Sequence, residues 1–496
     1  MDWDTRHVFG NVHESSMREI WNSEEYRQYR ANVAAPGGEP VGAGPRGPKA
    51  IRDRPAAGQA WIFLPTPEGR PSSGLPASLR PILGRSPLQR HVVHLARLGV
   101  ERCVILLPTG TGARELEREC RQQTARLPVG RMGIVLRPSK PGDPDRVERA
   151  GEGSARLLLV RGDGVYDPRL YRHVWDSPVP GWLVDGWDER SAADSGTWRP
   201  IGLARADADA LPVWAEWFES GSSDPPASAG PRAAGERWPV DEVPTYVSRL
   251  RRHLRPYWRV LCTTEDRARA ERSILDSAQK GVLDFPARFF HPIPENFLVR
   301  WAARTPVTPN QITVFTGLVA FVATYLFAAR EFGWGLAIAF LVNVLDGVDG
   351  KLARVRLQES RYGDRLDHLL DVTFEFSWYV ALGWGVMRAT GQRTALWAGL
   401  GLVAVMAASR GVSGLYKWIT GRQIHDHRAF DRAFRLVAGR RNIYTVMFVF
   451  GLAAGRLEEA LYAGFGWGVA TLTVYVVRTV VALGARSKPL PGLLRA

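Results

Sequence analysis

Residues 346–371 read DGVDGKLARVRLQESRYGDRLDHLLD, and this stretch decides the fold. Asp346 and Asp349 are three apart, with Gly350 and Ala353 four and seven residues beyond Asp346. On a helix these four share one face. Gly363, Asp367 and Asp371 follow at intervals of four and share a face of a second helix. Two such helices side by side aim four carboxylates into one cleft. Apolar runs flank the stretch, GWGLAIAFLVNVL before it and FSWYVALGWGVM after it, so the acids sit at or inside a membrane boundary. One acid at mid-membrane costs about 2.5–3.5 kcal/mol on insertion scales. Four close carboxylates also repel one another. A divalent cation relieves both costs, and hard oxygen ligands suit Mg²⁺, Mn²⁺ or Ca²⁺.

Working outward, ITVFTGLVAFVATYLFAA and ALYAGFGWGVATLTVYVV are uncharged runs long enough to span a bilayer. Four further candidates, at about 333–356, 361–388, 394–416 and 441–456, each pair an apolar half with a polar end. Thr308-Pro309-Asn310 is a helix-start signal ahead of the first run. Basic residues crowd two of the connecting segments: Lys351, Arg354, Arg356, Arg361 and Arg365 in one, Lys417, Arg422, Arg428, Arg432, Arg435, Arg440 and Arg441 in the other. By the positive-inside rule these segments, the acidic cluster and the N-terminal half face the cytoplasm.

The N-terminal half is polar. Residues 36–58 are rich in Gly, Pro, Ala and Arg and read as a linker. From Trp61 strands alternate with helices: WIFLP, then the amphipathic SPLQRHVVHLARLGV, then RCVILLP, and later RLLLVRGDGVYDPRLYRHV as strand, turn and helix. That order predicts an α/β domain with a parallel sheet over 59–240. Residues 241–291 read as a basic helical connector, and the membrane domain occupies 292–496. Lys and Arg total 65 against 50 Asp and Glu, a net charge of +15. No nucleic-acid-binding motif accompanies the charge, which points to lipid headgroups and phosphorylated substrates rather than nucleic acid. Cys103, Cys120 and Cys262 are too scattered for a metal or redox motif. The opening MDWDTRHVFG has no apolar core and does not read as a signal peptide.

Three resemblances add to this reading. The central stretch fills all eight fixed positions of the CDP-alcohol phosphotransferase signature, D-x2-D-G-x2-A-R-x8-G-x3-D-x3-D: Asp346, Asp349, Gly350, Ala353, Arg354, Gly363, Asp367 and Asp371. The TPNQIT segment at 308–313 also matches that family's first membrane helix. Residues 59–240 resemble sugar nucleotidyltransferases through RPILGRSPLQRHVVHLARLGVERCVIL and LLLVRGDGVYDPRL. Their glycine-rich phosphate loop is replaced by PTPEGRPSSGLPASLRP, Arg80 stands where a lysine is expected, and Asp163 takes the place of the metal-binding acid. A loop so poor in glycine offers phosphate few close backbone amides, so this domain reads as degenerate. Residues 1–35 resemble the tail of a SPASM domain but contain no cysteine, so they hold no iron–sulfur cluster.

The first resemblance implies a fold and a reaction. The fold is multi-domain, a cytosolic α/β nucleotidyltransferase-like domain followed by an all-α six-helix transmembrane domain. The reaction moves a substituted phosphate from a CDP-alcohol to an acceptor hydroxyl and releases CMP. Asp346, Asp349, Asp367 and Asp371 are the expected ligands of a two-metal Mg²⁺ or Mn²⁺ site, with Asp371 also the base. Asn310, Asp346, Gly350, Ala353, Arg354, Gly363 and Asp367 are expected around the nucleotide. From the residues themselves, Arg410 ends an apolar run and Arg440 and Arg441 begin another, which puts all three near the depth of the acids and at a phosphorylated acceptor, and Glu375 continues the acidic face by one turn. Membrane lipids and a homodimeric mate are the implied partners. Two alternatives stand beside this: a bifunctional enzyme whose N-terminal half also makes the CDP-alcohol, and a non-catalytic nucleotide-binding scaffold in the membrane.

Overall fold

The computed structural model describes residues 58–64, 75–108, 112–139, 157–185, 199–207, 218 and 235–487. The SPASM-like segment, the linker up to 57 and most of the phosphate-loop position lie outside these residues.

In chain order the α/β region contains β1 (Gln59–Phe63), α1 (Pro87–Leu98), β2 (Arg102–Pro108), α2 (Ala113–Thr124), β3 (Gly133–Ser139), β4 (Leu157–Arg161), β5 (Gly164–Tyr166), α3 (Pro168–Asp176), β6 (Gly181–Asp185), β7 (Arg199–Ala206) and β8 (Glu236–Pro239). Seven of these strands form one sheet in the order β3-β2-β1-β4-β7-β6-β8. The half β3-β2-β1-β4 is parallel, while β7 runs antiparallel to both β4 and β6, so the sheet is mixed rather than purely parallel. β1 is flanked by β2 on one side and β4 on the other, which makes its carboxyl end the switch point where such sheets open a crevice. Val92, Leu95, Ile62, Ile105, Leu158 and Val160 lie in one buried cluster, joining α1 to one face of the sheet. α1 begins with a capping box, Ser86 and Gln89 bonding each other's backbone, with Pro87 at its first position.

The expected helical connector is helical only in its second part. β9 (Tyr246–Val247) and β10 (Arg252–His253) form a small hairpin, and β11 (Trp258–Val260) pairs antiparallel with β5. Aromatic and β-branched residues at Tyr246, Val247, Trp258 and Val260 favour extended backbone, and β5 pairs with the last of these segments. α4 (Thr264–Ser277) then follows, with short α5 (Phe285–Phe289) and α6 (Pro292–Ala303).

The helical region comprises α7 (Pro309–Ala328), α8 (Phe332–Val355), α9 (Arg361–Thr390), α10 (Arg393–Thr420), a short α11 (Ala429–Phe434), α12 (Arg441–Ala453) and α13 (Leu457–Ser487). The Thr308-Gln311 capping box starts α7 where the sequence placed it. Among the described residues, three segments are long and apolar enough to cross a membrane: Pro309–Ala328, Arg393–Thr420 and Leu457–Gly484. Around them large apolar side chains face outward, among them Phe315, Leu318, Tyr325, Trp397 and Phe450. Phe327, Trp378, Tyr379, Leu382, Leu402 and Phe448 pack inward. An apolar exterior wrapped around an apolar interior is what lipid as solvent requires.

Candidate metal and nucleotide site

α8 and α9 carry the acidic stretch and are joined by a turn over residues 356–360. Ser360 caps α9 by accepting from the Gly363 N–H at 3.0 Å, which fixes where the Gly363–Asp367–Asp371 face begins. Asp346, Asp367 and Asp371 each offer a carboxylate oxygen, and these atoms lie within 4.8 Å of one another. Three hard oxygen donors converging at that range fit a divalent cation. Asp349 stands outside this group. It is 4% exposed, accepts from the Thr313 hydroxyl and bonds the Gly350 N–H.

Arg441, at the start of α12, spans the two helices. It donates at 2.7 Å to Asp371 Oδ1 and at 2.8 Å to Asp346 Oδ2, and its guanidinium lies 4.9 Å from the Phe374 ring centroid. Glu375, one turn past Asp371, is 3% exposed and is paired with Arg410 and Tyr379. Of the three arginines expected at an acceptor, Arg441 therefore reaches the carboxylates themselves and Arg410 sits one turn away.

Two pairs of the expected nucleotide residues adjoin. A Cβ on Gly363 would come within 2.7 Å of Asn310 Oδ1, so the bare backbone of α9 and the Asn310 side chain adjoin. Gly350 faces the Arg354 guanidinium, whose Nε donates to Ala278 O at 2.7 Å. Ala353 is half-buried beside it. Lys280 stands at the exposed mouth, with Asp346 and Asp367 among its electrostatic neighbours. Desolvation first and Arg354 second lower its pKa.

Sequence reasoning missed two contributors. Thr313 lies three residues past Asn310 on the same helical face, a spacing that marks it as a neighbour of Asn310. Arg435, between α11 and α12, is 6% exposed, and its Nε and Nη1 have no hydrogen-bond partner among the described residues. Burial and neighbouring Arg440 both work against its charge, which an anion would relieve. Only its place in the fold, not any periodicity, reveals it.

Residues 306–481 match the family described as CDP-alcohol phosphatidyltransferase. That match contains every candidate residue just placed except Lys280. The C-terminal region belongs to the CDP-alcohol phosphatidyltransferase family. Residues 1–39 match a family described as an iron–sulfur cluster-binding domain, although no cysteine occurs there. The chain is similar to the bifunctional IPC transferase and DIPP synthase of Aquifex aeolicus, 27% identical over 195 residues, covering 38% of this chain and 44% of that protein. It is also similar to the protein of the same description from Archaeoglobus fulgidus, 30% identical over 234 residues, covering 46% and 44%. It thus spans under half the length of these curated relatives. A crystal structure of phosphatidylinositol phosphate synthase from Mycobacterium tuberculosis with CDP-DAG bound aligns at 16% identity, covering 41% of this chain and 98% of that one, with a TM-score of 0.32.

The α/β region offers its acid differently. Asp163 is 7% exposed and bound in two places by Arg161, at 2.7 and 3.2 Å. A Cβ on Gly162 would strike Phe63 O at 2.7 Å, so the glycine lets β4 close against the end of β1. Arg80 donates to Leu75 O, within its own loop.

Proposed function

We propose that the chain is an integral membrane transferase that moves a substituted phosphate from a CDP-alcohol to an acceptor hydroxyl and releases CMP. The observation that carries the reading is the convergence of Asp346, Asp367 and Asp371 within 4.8 Å inside the matched region. Asp346 and Asp367, with Asp371 beside them, would hold a divalent cation, Mg²⁺ or Mn²⁺, which would neutralise pyrophosphate charge and stabilise the leaving CMP. Asp349, held by Thr313, is the carboxylate available to a second cation. Asn310, Thr313, Gly350, Ala353, Arg354 and Gly363 seat the nucleotide, with the two glycines giving close backbone approach. Asp371 takes the acceptor proton as the acceptor oxygen bonds to phosphorus and the bond from phosphorus to the CMP oxygen breaks. Arg441 keeps Asp346 and Asp371 in register across the two helices.

Arg410, Arg440 and Arg435 supply positive charge for a phosphorylated acceptor, and Arg251 adds to that field beside Arg440. Helices α7, α8, α9, α10 and α13, with the shorter α12, make up the six-helix membrane domain, with the acidic cluster and the α/β region on the cytoplasmic side in keeping with loop basicity. On this reading the α/β region is degenerate, since its phosphate-loop position is poor in glycine and Asp163 is paired with Arg161. The names of the curated relatives favour a bifunctional reading instead, and CTP turnover by the full chain separates the two. The direct test screens CDP-alcohols and phosphorylated acceptors for CMP release in membranes. Exhaustive chelation should abolish release, and Mg²⁺ or Mn²⁺ should restore it. Full release after chelation overturns the metal reading.

A further inference from the structure

The α/β region grips the hinge between the two acid-bearing helices. α8 ends in a Schellman motif: Gln358 N–H bonds Ala353 O at 2.8 Å, and Leu357 N–H bonds Arg354 O at 3.2 Å. The residue that such a motif places in the left-handed region is usually glycine, yet here it is Leu357, with φ 57°. A bulky side chain in that conformation is held by its surroundings. The surroundings are the α/β core, against which Leu357 packs.

Three carbonyls at this end point away from α8, and each is taken by an arginine on or beside α1. Arg90 donates to Val355 O at 2.9 Å and, with its other nitrogen, to Ile82 O at 2.8 Å. Arg85 donates to Arg356 O at 3.2 Å, and Arg97 to Leu357 O at 3.0 Å. Glu359, next along the turn, pairs with Arg249 at 2.9 Å and Arg97 at 3.6 Å. Cations at a helix C-terminus also suit its dipole. Arg356 carries the restraint onward, donating to Ala302 O at 2.9 Å, Ala303 O at 3.0 Å, and also Val307 O in the turn before Asn310 and Thr313.

We propose that Arg85, Arg90 and Arg97 are positioning residues for the carboxylate site, and that the α/β region serves as its jig. By fixing the turn at 355–359 they set the offset between the Asp346 face of α8 and the Asp367–Asp371 face of α9. Sites of this kind lose about 10²-fold in rate for a 1 Å misplacement. The inference rests on reading those acids as the transfer site.

The test uses the full chain in detergent. Arg97→Ala removes an exposed member whose loss does not threaten folding. Arg90→Lys keeps the charge but not the two-carbonyl bridge. Mn²⁺ binding by electron paramagnetic resonance and CMP release are measured per folded molecule, with Arg121→Ala on α2 as the control. Both hinge variants should weaken Mn²⁺ about tenfold and lower kcat at least tenfold, with KM for the CDP-alcohol within threefold, and Arg121→Ala should match wild type. Wild-type Mn²⁺ affinity and kcat in both hinge variants overturn the proposal. If wild type releases no CMP with any CDP-alcohol but the hinge variants still lose Mn²⁺ affinity, the positioning role stands and the transfer reading falls.

Discussion

The chain presents acids at two crevices and treats them in opposite ways. At the end of β4, Asp163 is closed off by an arginine two residues away, and both side chains are nearly buried. Between α8 and α9, three carboxylates share a 4.8 Å neighbourhood, and a single arginine from a third helix bridges two of them. A lone buried acid is stable when paired and inert for the same reason. Three acids with one arginine retain a surplus of negative charge that only a cation or a proton can balance. On the proposed function, surplus charge after local pairing, not the presence of an acid at a sheet or helix end, separates the carboxylates given a chemical role from the structural one.

The largest expected effects fall on the surplus. Asp371→Asn should cost CMP release 10²–10⁴-fold, the usual range for a lost general base, about, while CDP-alcohol still binds in the presence of metal. Asp346→Asn should lose metal binding together with turnover. Calorimetry of nucleotide binding on both variants checks this. Equal loss of metal-dependent binding in the two variants would make Asp371 primarily a ligand and move the base elsewhere.

A smaller and opposite effect is expected at the paired acid. Asp163→Asn breaks a largely buried pair and should cost stability, roughly 1–3 kcal/mol. CMP release per folded molecule should stay within about twofold, because the hinge contacts to Val355, Arg356 and Leu357 come from Arg90, Arg85 and Arg97 instead. Thermal unfolding and initial rates on one preparation measure both. A loss of release far beyond the loss of folded protein would show that the two crevices act together.

The sequence made the second crevice legible and the first only partly so. Fixed spacings of three and four residues predict which acids share a face, and α8 and α9 deliver that. The helix start at Thr308-Pro309-Asn310 was equally readable, because a cap depends on its neighbours in the chain. The pairing of Asp349 with Thr313 was not readable, since it joins residues on separate helices. Nor was the strand at Trp258–Val260, whose extended form depends on β5, almost a hundred residues earlier. Arg441 illustrates the middle case. Its depth near the acids was inferred from the helix start, but its contact with Asp346 and Asp371 required the packing of α12 on α8.

The smallest expected effect concerns Lys280, a connector cation at the mouth of the acidic cleft. Its charged and titratable neighbours are Arg354, Asp346, Arg251 and Asp367, and desolvation followed by Arg354 lowers its pKa. If its charge helps seat the nucleotide phosphates, CMP release should fall on the alkaline side at a pH below that of an ordinary lysine, about 10.4. Stability should move the other way. Between the lowered folded pKa and the unfolded one, the unfolded chain binds more protons, so stability rises with pH through that window. Lys280→Met should therefore lower release a few-fold at neutral pH, erase the alkaline limb and flatten the stability rise. Lys280→Arg should keep release and push the limb to higher pH. An alkaline limb unchanged in Lys280→Met would assign it to another group and leave Lys280 as part of the solvated rim.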